Sequence, residues 1–187
     1  MVSFPSTESL TAKDFELLVK SWLEAESDDL CDFSASHLES MKGQDGEFTF
    51  DVTAKFCIFG GMKVQVVVEC KKHSNPIKRE LVQVLNEKKR SVGAHKAILV
   101  ATAPFQSGAI EYAEKNGIGL VQIASSNVLF IKASRNRSAP LPRAIENVAL
   151  QEPFVGLFYG MNPNGDLVFP QVLRRGMTHE LGIFLRG

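Results

Sequence analysis

An α/β fold built around a mixed β-sheet follows from three observations in this 187-residue chain. Two stretches of alternating apolar and polar residues flank Gly60-Gly61, the pattern of a β-hairpin. A helical apolar stripe precedes them. After them, a crossover helix and a second helix lead to short apolar strands at Ile98 to Thr102 and Ile118 to Ile123, which places helices against a sheet of mixed direction.

The opening helix is marked by Thr11 with Asp14 three residues on, the spacing of a capping box. Phe15, Leu18, Val19, Trp22 and Leu23 give it one apolar face. Glu16 stands at the edge of that face. Taken alone, it reads as a surface acid paired with Lys20 at i+4.

In the hairpin, Phe48, Phe50, Val52, Ala54, Phe56 and Ile58 alternate with polar neighbours. Val64, Val66, Val68 and Cys70 form one face of the returning strand, and Gln65, Val67, Glu69 and Lys71 the other. A two-residue Gly60-Gly61 loop would pair Asp51 with Cys70 and put the two apolar faces on opposite sides of the sheet. A three- or five-residue loop, or a bulge, brings the even-numbered residues together on the core side. Asp51 then falls opposite or next to Glu69 and Lys71.

The next helix is expected from Pro76 to about Val92, with Asn75 as N-cap and Pro76 at the first helical position. Ile77, Leu81, Val84, Leu85 and Val92 supply its buried side, and Gln83 lies on it as a solvent-facing or a site-facing polar residue. The helix before Ile118 stops at Asn116-Gly117. Asn127 to Ile131 reads as an edge strand and Ala133 to Arg143 as a connector. Phe154 to Tyr159 and Leu167 to Phe169 flank a turn at residues 162–166 as a hairpin, with a last strand near Gly182 to Leu185. That tail is too small to fold alone and is expected to pack on the core or on a second subunit.

Composition excludes several classes. Cys31, Cys57 and Cys70 have neither disulfide-framework nor zinc-ligand spacing. No apolar run is long enough to span a bilayer and no signal peptide is legible, so a cytoplasmic setting is expected. Net charge is zero, yet its layout is polar. Up to Asp51 about 12 acids face 3 bases, and from Lys55 to Lys96 about 10 bases face Glu69, Glu80 and Glu87. The basic half suits a phosphate-backbone ligand; Lys88-Lys89-Arg90 read equally as a solvated helix face.

The chemistry concentrates where the valine-rich strand ends. Glu69 and Lys71 share a face, and with Asp51 alongside, two carboxylates can hold a divalent metal while an ammonium reaches the same volume. The plain alternative is a surface ion pair worth about 0–1 kcal/mol. Lys72, His73, Lys78 and Arg79 surround the strand exit as candidates for phosphate contacts.

Asp51 followed by Glu69-Cys70-Lys71 resembles the PD-(D/E)xK nuclease superfamily, and within it the Mrr-like restriction endonuclease branch, over roughly residues 10 to 124. Phe15-Glu16 on the opening helix, the helix after Lys71, Ile98 to Thr102 leading through Phe105 into an Ala-rich helix to Ala113, and Gly117 to Val121 carry the same likeness in order. The Gly-Gly-Ile-Asp-Gly stretch usual in that branch is replaced by Gln44 to Asp51; of its acids, Asp51 fits the strand register and Asp45 reads as a turn residue.

The resemblance implies a restriction-endonuclease-like sandwich, a central mixed sheet flanked by helices, over residues 1–132. Residues 133–187 then form the connector and a small C-terminal β extension. It also implies a metal-dependent nuclease that hydrolyses DNA phosphodiester bonds with a metal-activated water. Asp51 and Glu69 are its expected metal ligands, for Mg²⁺ with Mn²⁺ able to substitute. Lys71 is expected to orient or deprotonate the water, with Glu16 and Gln83 in supporting catalytic roles. The rival reading is a non-catalytic nucleic-acid-binding or assembly module that keeps the fold. No recognition domain is legible, so specificity is expected from loops, the C-terminal hairpin, a homodimer partner, or a separate specificity or assembly protein.

Overall fold

The computed structural model of the protein describes residues 10–25, 27, 30–58, 61–124, 155–161 and 167–173. Helix α1 (Ala12–Ala25) leads into an antiparallel meander of β1 (Cys31–Lys42), β2 (Glu47–Ile58) and β3 (Met62–Lys71). Helix α2 (Arg79–Ser91) crosses to β4 (Lys96–Ala101), and α3 (Ser107–Asn116) crosses to β5 (Ile118–Ala124). Both β4 and β5 join in parallel. The mixed five-stranded sheet flanked by helices is the architecture expected. Strands β6 (Val155–Met161) and β7 (Leu167–Leu173) extend the same sheet antiparallel beyond β5, in the order β1 to β7. The edge strand at 127–131, the connector, the turn at 162–166 and the final strand at 182–185 lie outside the described residues. Among the described residues no helix is long and apolar enough to cross a membrane.

Each face of the sheet has its own core. Phe15, Val19, Trp22 and Leu23 of α1 pack on Val52, Ala54, Phe56, Val66 and Val68. Val82 and Leu85 of α2 with Ala109 and Ala113 of α3 pack on Val67, Leu99, Ala101 and Leu120. The α1 cap forms as its sequence indicates. The Asp14 backbone N–H donates to Thr11 Oγ1 at 3.1 Å, and the Thr11 N–H donates back to Asp14 Oδ2 at 3.0 Å.

Three expectations are corrected. First, α2 begins at Arg79, not Pro76. Ile77 is taken by a parallel bridge to Phe105: its N–H donates to the Pro104 carbonyl at 2.8 Å, and its carbonyl accepts the Gln106 N–H at 2.9 Å. A backbone so occupied cannot also start a helix. Second, of the expected buried side only Val84 fails, being 54% exposed; Leu85 is buried, Leu81 and Val92 pack on the same core, and Val82 and Asn86 are buried as well. The later start removes Ile77 from the helix, so the face is set by the residues that reach the sheet and α3.

Third, β2 does not keep one face throughout. Phe48 and Phe50 belong to the α2/α3 layer, but Val52, Ala54 and Phe56 belong to the α1 layer. The change falls at Asp51. Opposite it on β1, Leu38 lies between the pairs His37↔Val52 and Glu39↔Phe50 and has a left-handed backbone, φ 54°. One such residue rotates a strand's side-chain directions, as a bulge does.

Candidate active site

Strands β2 and β3 are joined through three residues, 59–61, and stay paired from Ile58↔Met62 to Val52↔Val68. The odd loop length is the one the apolar faces require. Asp51 is the first residue past the last pair, and the same register sets it opposite Glu69. Its Oδ2 accepts the Cys70 backbone N–H at 2.6 Å, so a carboxylate satisfies a strand donor that lies beyond the last backbone pair of the two strands.

Glu69 is gripped from both sides. Lys71 Nζ donates to its Oε1 at 2.8 Å, along the strand. Lys88 Nζ reaches its Oε2 at 3.4 Å from α2, and sits 5.9 Å from the centroid of the Phe50 ring. Glu16 joins from α1 and is held by His37, with Nε2 to Oε2 at 2.8 Å. Its alternative partner is engaged elsewhere, since Lys20 pairs with Glu24 at 2.5 Å. The structure therefore brings Asp51, Glu69, Lys71 and Glu16 to one strand end.

The peripheral candidates divide. Lys72 and His73 are exposed at the exit of β3. That exit is tied to β4: Thr102 Oγ1 accepts the His73 N–H at 3.0 Å and donates to the His73 carbonyl at 2.9 Å. Lys78 is exposed before α2, and Arg79 stacks its guanidinium 5.2 Å above the Tyr112 ring. Gln83 is half-buried on α2. It is Lys88, five residues on, that bonds Glu69. Asp45 lies in the β1–β2 turn and bonds Ser91 at the end of α2, away from the site, as its turn reading expects.

Residue-by-residue reading missed the contacts of His37 with Glu16 and of Lys88 with Glu69. His37 lies on a strand with no apolar alternation of its own, and Lys88 sits inside a basic run that reads as solvated.

The electrostatics are those of a cluster short of positive charge. Burial pushes the Asp51 carboxyl above its ordinary value. The Cys70 N–H opposes this, while the charges of Glu69 and Glu16 reinforce it. For Lys71, burial pulls downward, but the Glu69 hydrogen bond and the surrounding negative charge win, and the ammonium is held above its ordinary value. Cys70 is pushed up, mainly by burial, and is an inert thiol.

The family model for a restriction endonuclease of the Mrr catalytic type (Mrr_cat) matches residues 7–125, well over half of the chain. The chain belongs to the Mrr-type restriction endonuclease family. All four clustered residues fall inside the matched segment. No curated protein matches the chain. Among solved structures, it is similar to a protein of unknown function, AF1548, at 21% identity and TM-score 0.49, covering 59% of this chain and 57% of that one. It is also similar to the DNA modification-dependent restriction endonuclease AspBHI, at 18% identity and TM-score 0.39, covering 55% of this chain and 25% of that one. The chain thus spans little more than half of the one and a quarter of the other.

Proposed function

We propose that this Mrr-type domain is a metal-dependent endodeoxyribonuclease. The observation that carries the reading is the meeting of Asp51, Glu69 and Lys71 at the strand end just past the last β2–β3 pair, with Asp51 bonded to the backbone beside Glu69. Two carboxylates with Glu16 behind them form a hard, anionic donor set. Mg²⁺ takes such sets, with Mn²⁺ in substitution, leaving its other positions to water and phosphate. No group of three or more His, Cys, Asp or Glu side chains placed to hold a metal occurs among the described residues, so the proposed ion would rest on two carboxylates and on water and phosphate oxygens. When bound, the ion would polarise the phosphate and lower the pKa of a water.

The chain's own residues supply the rest. Asp51 and Glu69 would hold the ion. Lys71, kept as an ammonium by its neighbours, is a donor: it orients the attacking water and stabilises charge building on the phosphate oxygens. Glu16, steadied by His37, sets the acidic wall behind Asp51. Gln83 would support the reacting groups from α2, and Lys72, His73 and Lys78 would contact the duplex backbone, with Arg79 joining after leaving Tyr112. Sequence or modification preference is assigned to loops, the β6–β7 hairpin, a second copy of the chain or another protein.

The test is incubation with plasmid, linear, single-stranded and branched DNA, and with RNA, under Mg²⁺ or Mn²⁺. Wild-type protein is expected to cut DNA, and Lys71→Ala to lose cleavage with an unchanged circular-dichroism spectrum. Cleavage by Lys71→Ala at the wild-type rate would overturn the reading.

A further inference from the structure

Lys88 reaches Glu69 from α2, yet the proposed reaction gives it no part. It belongs to a run of three bases in which Arg90 pairs with exposed Glu87, while Lys88 turns inward with a side chain 23% exposed. Its ammonium lies against Glu69 Oε2 and near the face of the Phe50 ring, the residue next to Asp51. The ring is a platform that favours a cation without binding it to one oxygen.

We propose that Lys88 is a second phosphate-contacting lysine: it guards Glu69 when no divalent cation is present, yields that carboxylate to the cation, and turns to a phosphate oxygen of the substrate. The inference rests on the nuclease reading of the same site. Two lysines share one carboxylate, and their bonds are unequal. Lys71 lies two residues along the same strand at 2.8 Å, so its geometry is fixed by the pleat. Lys88 comes from a helix on a long flexible stem at 3.4 Å, so it is the one that can leave.

The charges agree. Asp51, Glu69 and Glu16 against Lys71 and Lys88 leave the carboxylates and ammonium groups one unit negative. A divalent cation turns that balance one unit positive, which matches the single charge of a phosphodiester. Without Lys88 the balance would only reach neutral. The second lysine thus makes the loaded site attractive to the substrate rather than indifferent to it.

The experiment uses the full chain as wild type, Lys88→Gln and Lys88→Arg. It measures Mn²⁺ affinity by electron paramagnetic resonance, duplex affinity in Ca²⁺, and single-turnover cleavage in Mg²⁺. Lys88→Gln is expected to bind Mn²⁺ about two- to fivefold more tightly, because a half-buried competing ion pair is gone. It is expected to bind duplex more weakly and to cut roughly a hundredfold more slowly, the loss typical of one missing donor to developing charge. Lys88→Arg, which keeps the cation, should recover most of the duplex affinity and at least a tenth of the rate. Equal or weaker Mn²⁺ binding by Lys88→Gln, with wild-type duplex affinity and rate, would reduce Lys88 to a structural ion pair and overturn the proposal while the nuclease reading stands. A wild-type protein that neither binds Mn²⁺ nor cuts any nucleic acid would overturn both.

Discussion

Asp51 carries a cost that its position imposes. Its pKa is raised, chiefly by burial, so the native state holds a proton more tightly than the unfolded chain does. The contribution of Asp51 to stability is therefore fully present below the ordinary carboxylate value and is lost as pH rises through the raised one. In metal-free protein at neutral pH the whole penalty is present. Asp51→Asn keeps an acceptor for the Cys70 N–H and removes the charge. It should raise the melting temperature in EDTA and abolish the further rise expected of wild type in Mg²⁺; an unchanged or lower value in EDTA would contradict this account. Leu38 carries a separate strain. A left-handed backbone at a residue 53% exposed costs about 1–2 kcal/mol, and Leu38→Asn should recover about 1 kcal/mol in denaturant unfolding. At this scale the sequence was legible where register and pleat acted: the odd loop sets Asp51 opposite Glu69, and period two puts Lys71 on the face of Glu69. His37 and Lys88 were not, because what joins them to Glu16 and Glu69 is the packing of distant elements.

Among elements, the junction between β3, β4 and α2 matters most for the site. Thr102 answers both backbone groups of His73, and its own N–H donates to the Lys71 carbonyl at 3.1 Å, so one residue fixes where β3 ends. Thr102→Val keeps shape and loses both side-chain bonds. About 1–2 kcal/mol of stability should go with them, and cleavage should fall while Mn²⁺ affinity holds, because the proposed ligands Asp51 and Glu69 lie upstream. Unaltered stability would mean that water replaces the hydroxyl fully. The helix boundaries show why local signals are incomplete. Asn75-Pro76 has the chemistry of a helix start, but Ile77 gains a paired backbone by joining Phe105, and tertiary pairing outweighs propensity. Gly117 shows the opposite case. Its left-handed φ of 61° is the stop that Asn116-Gly117 announced, because nothing beyond the helix end is needed to specify it.

For the molecule as a whole, charge polarity sets the ionic response. If Lys71, Lys72, Lys78 and Lys88 meet phosphates, duplex affinity should drop about a hundredfold between about 50 and 200 mM salt. A flat dependence in filter binding would argue that the basic half is only a solvated surface. The mixed sheet was legible from the order of its elements, since a meander followed by two helix crossovers leaves few alternatives. The two-layer allegiance of β2 was not, because Phe48 through Ile58 alternate without a break and nothing in that run marks where the faces exchange. That exchange has a thermodynamic corollary. In double-mutant cycles, Phe50→Ala should show coupling to Leu85→Ala but not to Phe15→Ala, and Ala54→Gly the reverse, although both perturbed positions lie on one strand, four residues apart. The peptide units flanking Asp51 would then be the place where two otherwise independent cores become correlated, and a ligand that fixes this carboxylate would tighten both at once.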